Sequence, residues 1–413
     1  TGGGGLLKIA PENLSDVDKI TEMGGKVQKT ADGGVLVPVA DVPAKSCVRL
    51  SDVLCRGLGD EQESMIRFGK EEIENRYYHI VLNEKGQMTS FYDKEAQREL
   101  LQPGRCGNVF MTYEDKPHRY DNWNFYDYHR EKSWEVDQVK SCRILERGPV
   151  RWCLEFTWGY LSSEITEKLY FYPDRRNVDM EIDIDWREDQ IFLKLLYPVQ
   201  MYTKQATFEI QYGNVVRNMV RNTSWDWAKF EVCFHKWMDI SENSSYGVSF
   251  LNDCKYGVSV NDNEVGLSLI KSGMYPNPHA DREHHHILYS IYPHMGDWRT
   301  AGTVAMAYEL NNPMQAVCKR TENGDRKPGA LLAWDASNVV LETVKPAEDG
   351  EGWIARLYEA YGSRTCMTVQ LPDGVRRVWR TNLLEQKEEE LEIAGGSITL
   401  WLTPYEIMTL YIV

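Results

Sequence analysis

The sequence lacks most of what would mark a membrane protein, a nucleic-acid binder or a zinc-knuckle protein. No apolar run approaches the roughly 18 residues that a membrane-spanning helix needs. Positive charge is in deficit: 47 Lys and Arg stand against 62 Asp and Glu, for a formal charge of −15. A nucleic acid demands a basic face to neutralise its phosphates, and an anionic membrane surface demands the same, so neither partner is expected. The nine cysteines (Cys47, Cys55, Cys106, Cys142, Cys153, Cys233, Cys254, Cys318 and Cys366) form no Cys-x-x-Cys pair. Scattered and odd in number, they read as free buried thiols of a reducing compartment, which makes a cytoplasmic location the expectation. Nucleotide-binding glycine loops, Gly-x-Ser-x-Gly and His-Glu-x-x-His are missing too, which removes the usual sequence marks of nucleotide, serine-hydrolase and zincin chemistry.

What is present is a β pattern. Of the 413 residues, 42% are hydrophobic and 11% aromatic, a composition of ordinary globular domains with a lean toward strands. Tyr77–Leu82 and Gln87–Tyr92 flank the turn Asn83-Glu84-Lys85-Gly86 and read as a hairpin. Val178, Met180, Ile182, Ile184 and Trp186 alternate with Asp179, Glu181, Asp183 and Asp185, a strand with an acidic solvated face. Similar runs are expected at 164–172, 191–201, 206–213, 246–251, 256–260, 265–270, 286–293 and 303–310, with no helical period competing. The expected fold is all-β, with three parts. Residues 1–60, which open Thr1-Gly2-Gly3-Gly4-Gly5 without Met, read as the end of a small linker β domain with strands at Val35–Ala40 and Ala44–Leu50. Residues 61–312 read as one large antiparallel β-sandwich, reached through a polar linker at 54–63. Residues 313–413 read as a small terminal β-sandwich, in which the acidic run Glu385–Glu392 is a solvated loop or edge.

Two irregular segments break the alternation. The first, Glu114 to His129, sets Tyr120, Trp123, Phe125, Tyr126 and Tyr128 among Asp115, Asp121, Asn122 and Asn124. Ring faces for C–H bonds beside carboxylates and amides for hydroxyls are what a sugar site needs. Asp115 and Asp121 are candidates for a paired acid and nucleophile if their separation suits, a distance that sequence does not supply. A loop wedged against a neighbouring domain explains the same residues. The second segment, Lys271 to His286, holds two prolines and His284-His285-His286. His284 and His286 would share a strand face, and with His279, Asp281 and Glu283 they invite a metal reading. No established ligand spacing is met, so no metal is assigned to this chain.

Asn222-Thr223-Ser224-Trp225-Asp226-Trp227-Ala228-Lys229-Phe230-Glu231, with His235-Lys236-Trp237, resembles the carboxy-terminal β region of the glycoside hydrolase family 38 α-mannosidases. Further family-like motifs follow in register. They are Glu114-Asp115-Lys116-Pro117, Asp121-Asn122-Trp123-Asn124, Leu251-Asn252-Asp253-Cys254-Lys255-Tyr256-Gly257, Tyr292-Pro293-His294 with Gly296-Asp297-Trp298, and Pro404-Tyr405-Glu406-Ile407. The resemblance implies a sandwich of the galactose-mutarotase-like kind. It also implies a parent enzyme that removes terminal α-linked mannose by a zinc-assisted retaining mechanism. Zinc and both catalytic carboxylates then belong to an amino-terminal barrel outside these residues, with no catalytic residue and no cofactor in this chain. The partners implied are that catalytic domain and a mannose-containing oligosaccharide, and self-association stays open.

The same resemblance places two loops at the rim of the substrate site. They contribute Asp121, Trp123, Asn124 and Tyr126 from one side, and Lys271, Asp281, Glu283 and His284 from the other. Asn124 stands where relatives commonly carry Asp, and Lys271 where they commonly carry Arg, so a carboxylate and a forked donor are each replaced. Two other functions are open at this stage. One is a free-standing carbohydrate-binding sandwich. The other is an aldose epimerase, for which Glu283 with His284 or His235 would be base and acid.

Overall fold

The computed structural model describes residues 3–11, 17–22, 24–55, 65–317 and 329–413. The expected linker at 54–63 falls almost wholly outside them. A small three-stranded sheet comes first, Gly3–Ile9, Gln28–Lys29 and Val35–Val42, with the last strand in the middle. Leu7, Ile9, Val35, Val37 and Val39 form its core, on which Met314 and Ala316 also pack. The strand expected at Ala44–Leu50 shrinks to Ser46–Cys47, because a short helix begins at Leu50.

The large unit is built from antiparallel sheets. Its hairpin turns where expected: Asn83 Oδ1 accepts the N–H groups of Lys85 and Gln87 at 3.0 Å, and Gly86 sits at φ 79°. A Cβ on Gly86 would stand 2.8 Å from the Trp158 ring, so close packing as well as φ requires glycine there. A nine-stranded sheet carries Val178–Asp185 against His284–Met295 near its middle, with Asp183 opposite His286 and Asp185 opposite His284. A six-stranded sheet carries Val109–Glu114, Ile191–Pro198 and Glu264–Lys271 side by side. Alternate residues of both sheets, among them Leu193, Leu195, Tyr197, Met180, Ile182 and Ile287, fill one continuous core.

One expected strand is a helix. Residues 303–310 read as alternating, but Thr303–Asn311 is helical and buries Thr303, Val304 and Ala307. Spacing of one and three residues fits a helix face, and Ala, Met, Leu and Glu are good helix formers, so propensity wins over an accidental alternation. The helix lies beside Trp237, Leu251, Trp298, Tyr358 and Ala360, which bind the large unit to the terminal one.

The terminal unit has a five-stranded and a three-stranded sheet around Leu341, Leu357, Met367, Val369, Leu400 and Leu410. The acidic run supplies its edge strand, Lys387–Leu391, paired only to Val378–Thr381. Charge on an exposed edge discourages pairing with another chain.

The thiols differ from expectation in burial. Cys47, Cys106, Cys142, Cys153, Cys233, Cys254 and Cys366 are free, but only Cys153 of these is buried, and four are exposed.

Candidate functional site

The two irregular segments meet at one end of the six-stranded sheet. One leaves the strand Val109–Glu114, the other leaves Glu264–Lys271, and the turn that enters Ile191–Pro198 lies between them. Antiparallel order puts all three connections on the same side.

Asp121 joins them. Its buried carboxylate accepts the backbone N–H groups of Met274 at 2.9 Å and Tyr275 at 2.6 Å, and the Gln190 amide at 3.0 Å. Burial would raise its pKa, yet the Gln190 amide and the two backbone donors outweigh it and hold the group below the ordinary carboxylate range. Asp115, deeper in the loop, goes the other way. Burial raises it although Lys271 Nζ lies 2.7 Å away. Lys271 also donates to the Asp121 carbonyl, so its ammonium is turned into the seam between the loops. Gln190, at φ 54°, completes the seam: its N–H donates to the Ser272 carbonyl and its own carbonyl accepts from Asp115 N–H.

The rings divide by depth. Phe125 is packed with His129, Phe192 and Phe230. His129 Nδ1 lies 2.8 Å from the Tyr126 carbonyl, an acceptor, so this nitrogen carries the proton. Burial among the rings lowers the His129 pKa to about 4, which keeps the imidazole neutral at ordinary pH. Above this layer Trp123 is 71% exposed and stacks on Tyr120 at 5.6 Å, and Tyr126 stacks on Tyr128 at 5.5 Å. Asn124 Nδ2 donates back to the Arg119 carbonyl, inside its own loop. The structure therefore brings Asp121, Trp123, Asn124, Tyr126 and Lys271 into one patch, with Trp123 and Tyr126 facing out and Asp121 and Lys271 facing in.

The rest of the second segment is arranged differently. Asp281 accepts from Lys271 N–H at 3.3 Å, while Glu283 and His284 are exposed. His284 Nε2 lies 3.7 Å from Asp183, and no described contact joins Glu283 to His284 or to His235. His279 pairs with Arg282. The ligand set imagined from His279, Asp281, Glu283, His284 and His286 does not converge; among the described residues, Glu181, Asp183 and His286 do.

Gln190 and Trp186 were missed in the sequence. Trp186 donates from Nε1 to Ser272 Oγ at 3.1 Å and stacks on Tyr160 at 5.8 Å. The only signal was the polar turn Arg187-Glu188-Asp189-Gln190, which interrupts two strands at the end where the other loops gather.

Comparison with known proteins bears on the family and the fold. The profile described as "Glycosyl hydrolases family 38 C-terminal domain" matches residues 73–279, and that of the "family 38 C-terminal beta sandwich domain" matches residues 338–410. The human protein named alpha-mannosidase 2C1 is 32% identical over 357 residues, 84% of this chain and 34% of its own length. Alpha-mannosidase G of Dictyostelium discoideum is 30% identical over 351 residues, 82% of this chain and 32% of its own. Among solved structures, an alpha-mannosidase from Enterococcus faecalis V583 superposes with a TM-score of 0.71 at 15% identity, over 92% of this chain and 46% of that one. The fold and the matched profiles define a β-sandwich region of the glycosyl hydrolase class. The chain belongs to glycoside hydrolase family 38, as a carboxy-terminal region of it. It spans about a third of the length of these curated relatives. No described helix is long and apolar enough to cross a membrane.

Proposed function

We propose that the chain is the non-catalytic carboxy-terminal portion of an α-mannosidase, which braces an amino-terminal catalytic barrel and lends it two rim loops. The whole enzyme would hydrolyse terminal α-linked mannose by the zinc-assisted retaining route of its family, in the cytoplasm. Zinc and both catalytic carboxylates would come from outside this chain, so no step is derived through the ion.

The observation that carries the reading is the engagement of both candidate carboxylates. Asp121 already accepts three N–H donors, and Asp115 is buried against Lys271. A nucleophile and an acid both need an open approach to the sugar. What these groups do instead is fix the loop that carries Trp123 and Tyr126 at the surface, where a ring can stack on a pyranose. The test is turnover of an aryl α-mannoside by the 413-residue chain with added zinc. None is expected, and robust hydrolysis overturns the reading.

The exposed Trp123–Tyr120 stack also favours a second reading, a free-standing carbohydrate-binding sandwich. Calorimetry with mannose oligosaccharides distinguishes it, since that reading requires heat of binding from this chain alone. The epimerase reading has only fold analogy behind it.

A further inference from the structure

The acidic face of Val178–Asp185 and the histidines of His284–Met295 were separate features in the sequence. In the sheet they are one. Asp183 stands opposite His286, Glu181 lies two residues along the same face, and His284 extends the face toward the loop end. Donor atoms of Glu181, Asp183 and His286 all lie within 4.8 Å of one another. His286 Nδ1 is 2.8 Å and His284 Nε2 3.7 Å from the same Asp183 oxygen, Oδ1. Two imidazoles thus converge on one carboxylate of a rigid sheet, with a second carboxylate beside it.

We propose that Glu181, Asp183 and His286, with His284 as a fourth donor, form a surface site for a divalent transition ion, zinc foremost. Mixed imidazole and carboxylate donors suit zinc better than calcium or magnesium, which prefer oxygen alone. An ion at about 2.0–2.2 Å from each donor needs donors no more than about 4 Å apart, which small side-chain rotations supply.

Lys168 is the competitor. Its ammonium lies 2.6 Å from Glu181 and 3.7 Å from Asp183, from the neighbouring strand Ser163–Phe171. Tyr170 donates to the other Glu181 oxygen at 2.9 Å and would orient that carboxylate as supporting groups do in metal sites. The lysine is the resident cation of the pair, and a divalent ion would displace it toward solvent. The bound ion would tie together the two strands whose ends carry Trp186 and Glu283, which are already joined where Trp186 N–H donates to the Glu283 carbonyl.

The test is isothermal titration of the 413-residue chain with zinc chloride in a non-chelating buffer. One ion per chain is expected, with a dissociation constant in the micromolar range. His286→Ala and Asp183→Asn should each weaken it by about tenfold or more, the scale on which even supporting groups of metal sites act. Lys168→Met should tighten it, a gain that misfolding does not produce. His279→Ala, in the neighbouring loop, should leave it unchanged. Absence of saturable micromolar binding overturns the site. So do multi-site binding indifferent to Asp183→Asn, an affinity unmoved by Lys168→Met, and a loss caused by His279→Ala.

Discussion

Asp121 and Glu167 are carboxylates whose surroundings move their protons in opposite directions. Asp121 was legible as a site residue because it sits among rings and amides, but its task as a latch was not, since its partners Gln190, Met274 and Tyr275 are distant in the sequence. Glu167 gave no signal, being one polar residue of an alternating strand. In the structure it is fully buried between the sheets, accepting from Asn108 at 2.7 Å and Tyr289 at 2.6 Å. Burial pushes its pKa up to about 7, and those two donors only partly offset that. The folded state then binds a proton that the unfolded chain releases near pH 4.3, so this group's contribution to stability is complete below that value and is lost as pH rises toward and through 7. A rise of between two and three units corresponds to about 3 kcal/mol. Urea unfolding at pH 5 and pH 8 should show wild type losing about 2 kcal/mol relative to Glu167→Gln, less than the whole because part is already lost by pH 5. A wild-type-minus-variant difference that is equal at both pH values contradicts the assignment.

Strands were legible wherever one face is wet and the other buried, as in Val178–Asp185, because the side-chain period of two then appears directly in the sequence. The helix Thr303–Asn311 was not, because Val304, Met306 and Tyr308 happen to alternate with smaller or charged residues. The two readings make different demands on two alanines. On a strand, positions 305 and 307 share a face, so Ala305 and Ala307 should respond alike. On the helix, Ala305 is exposed and Ala307 is fully buried against the cluster around Trp237 and Trp298. Ala307→Met should overpack that seam and cost about 1–3 kcal/mol, whereas Ala305→Met on the outer face should change stability by less than about 0.5 kcal/mol. Thermal or urea unfolding of the two variants reads this out, and equal effects would restore the strand.

Across the whole molecule, fold class and the sites of the irregular loops could be read from local pattern, while the seams between units could not. Such seams are made by residues far apart in sequence, and a buried Trp at a seam looks like any core Trp until its neighbours are known. Trp298 is the clearest case. It lies 4.7 Å from the Trp237 ring of the large unit and 5.3 Å from the Tyr361 ring of the terminal one. Two further contacts cross the same seam: Arg299 Nε donates to the Tyr361 carbonyl at 3.2 Å, and Asn214 Nδ2 donates to the Ala360 carbonyl at 3.3 Å. Each unit also has a core of its own, so each retains a driving force for folding when the seam is weakened. Coupling therefore rests on the seam, and truncating its largest ring should cost about 3–5 kcal/mol there. The intact chain should melt as one calorimetric transition over the large and terminal units. Trp298→Ala should split it, with tyrosines of the terminal unit reporting one melting temperature and those of the large sandwich another. If the variant still melts in a single transition shifted as a whole, the coupling lies elsewhere, in the helix Thr303–Asn311, whose Tyr308 hydroxyl donates to Glu342 and lies 3.2 Å from the Tyr358 hydroxyl of the terminal unit, rather than in the ring stack.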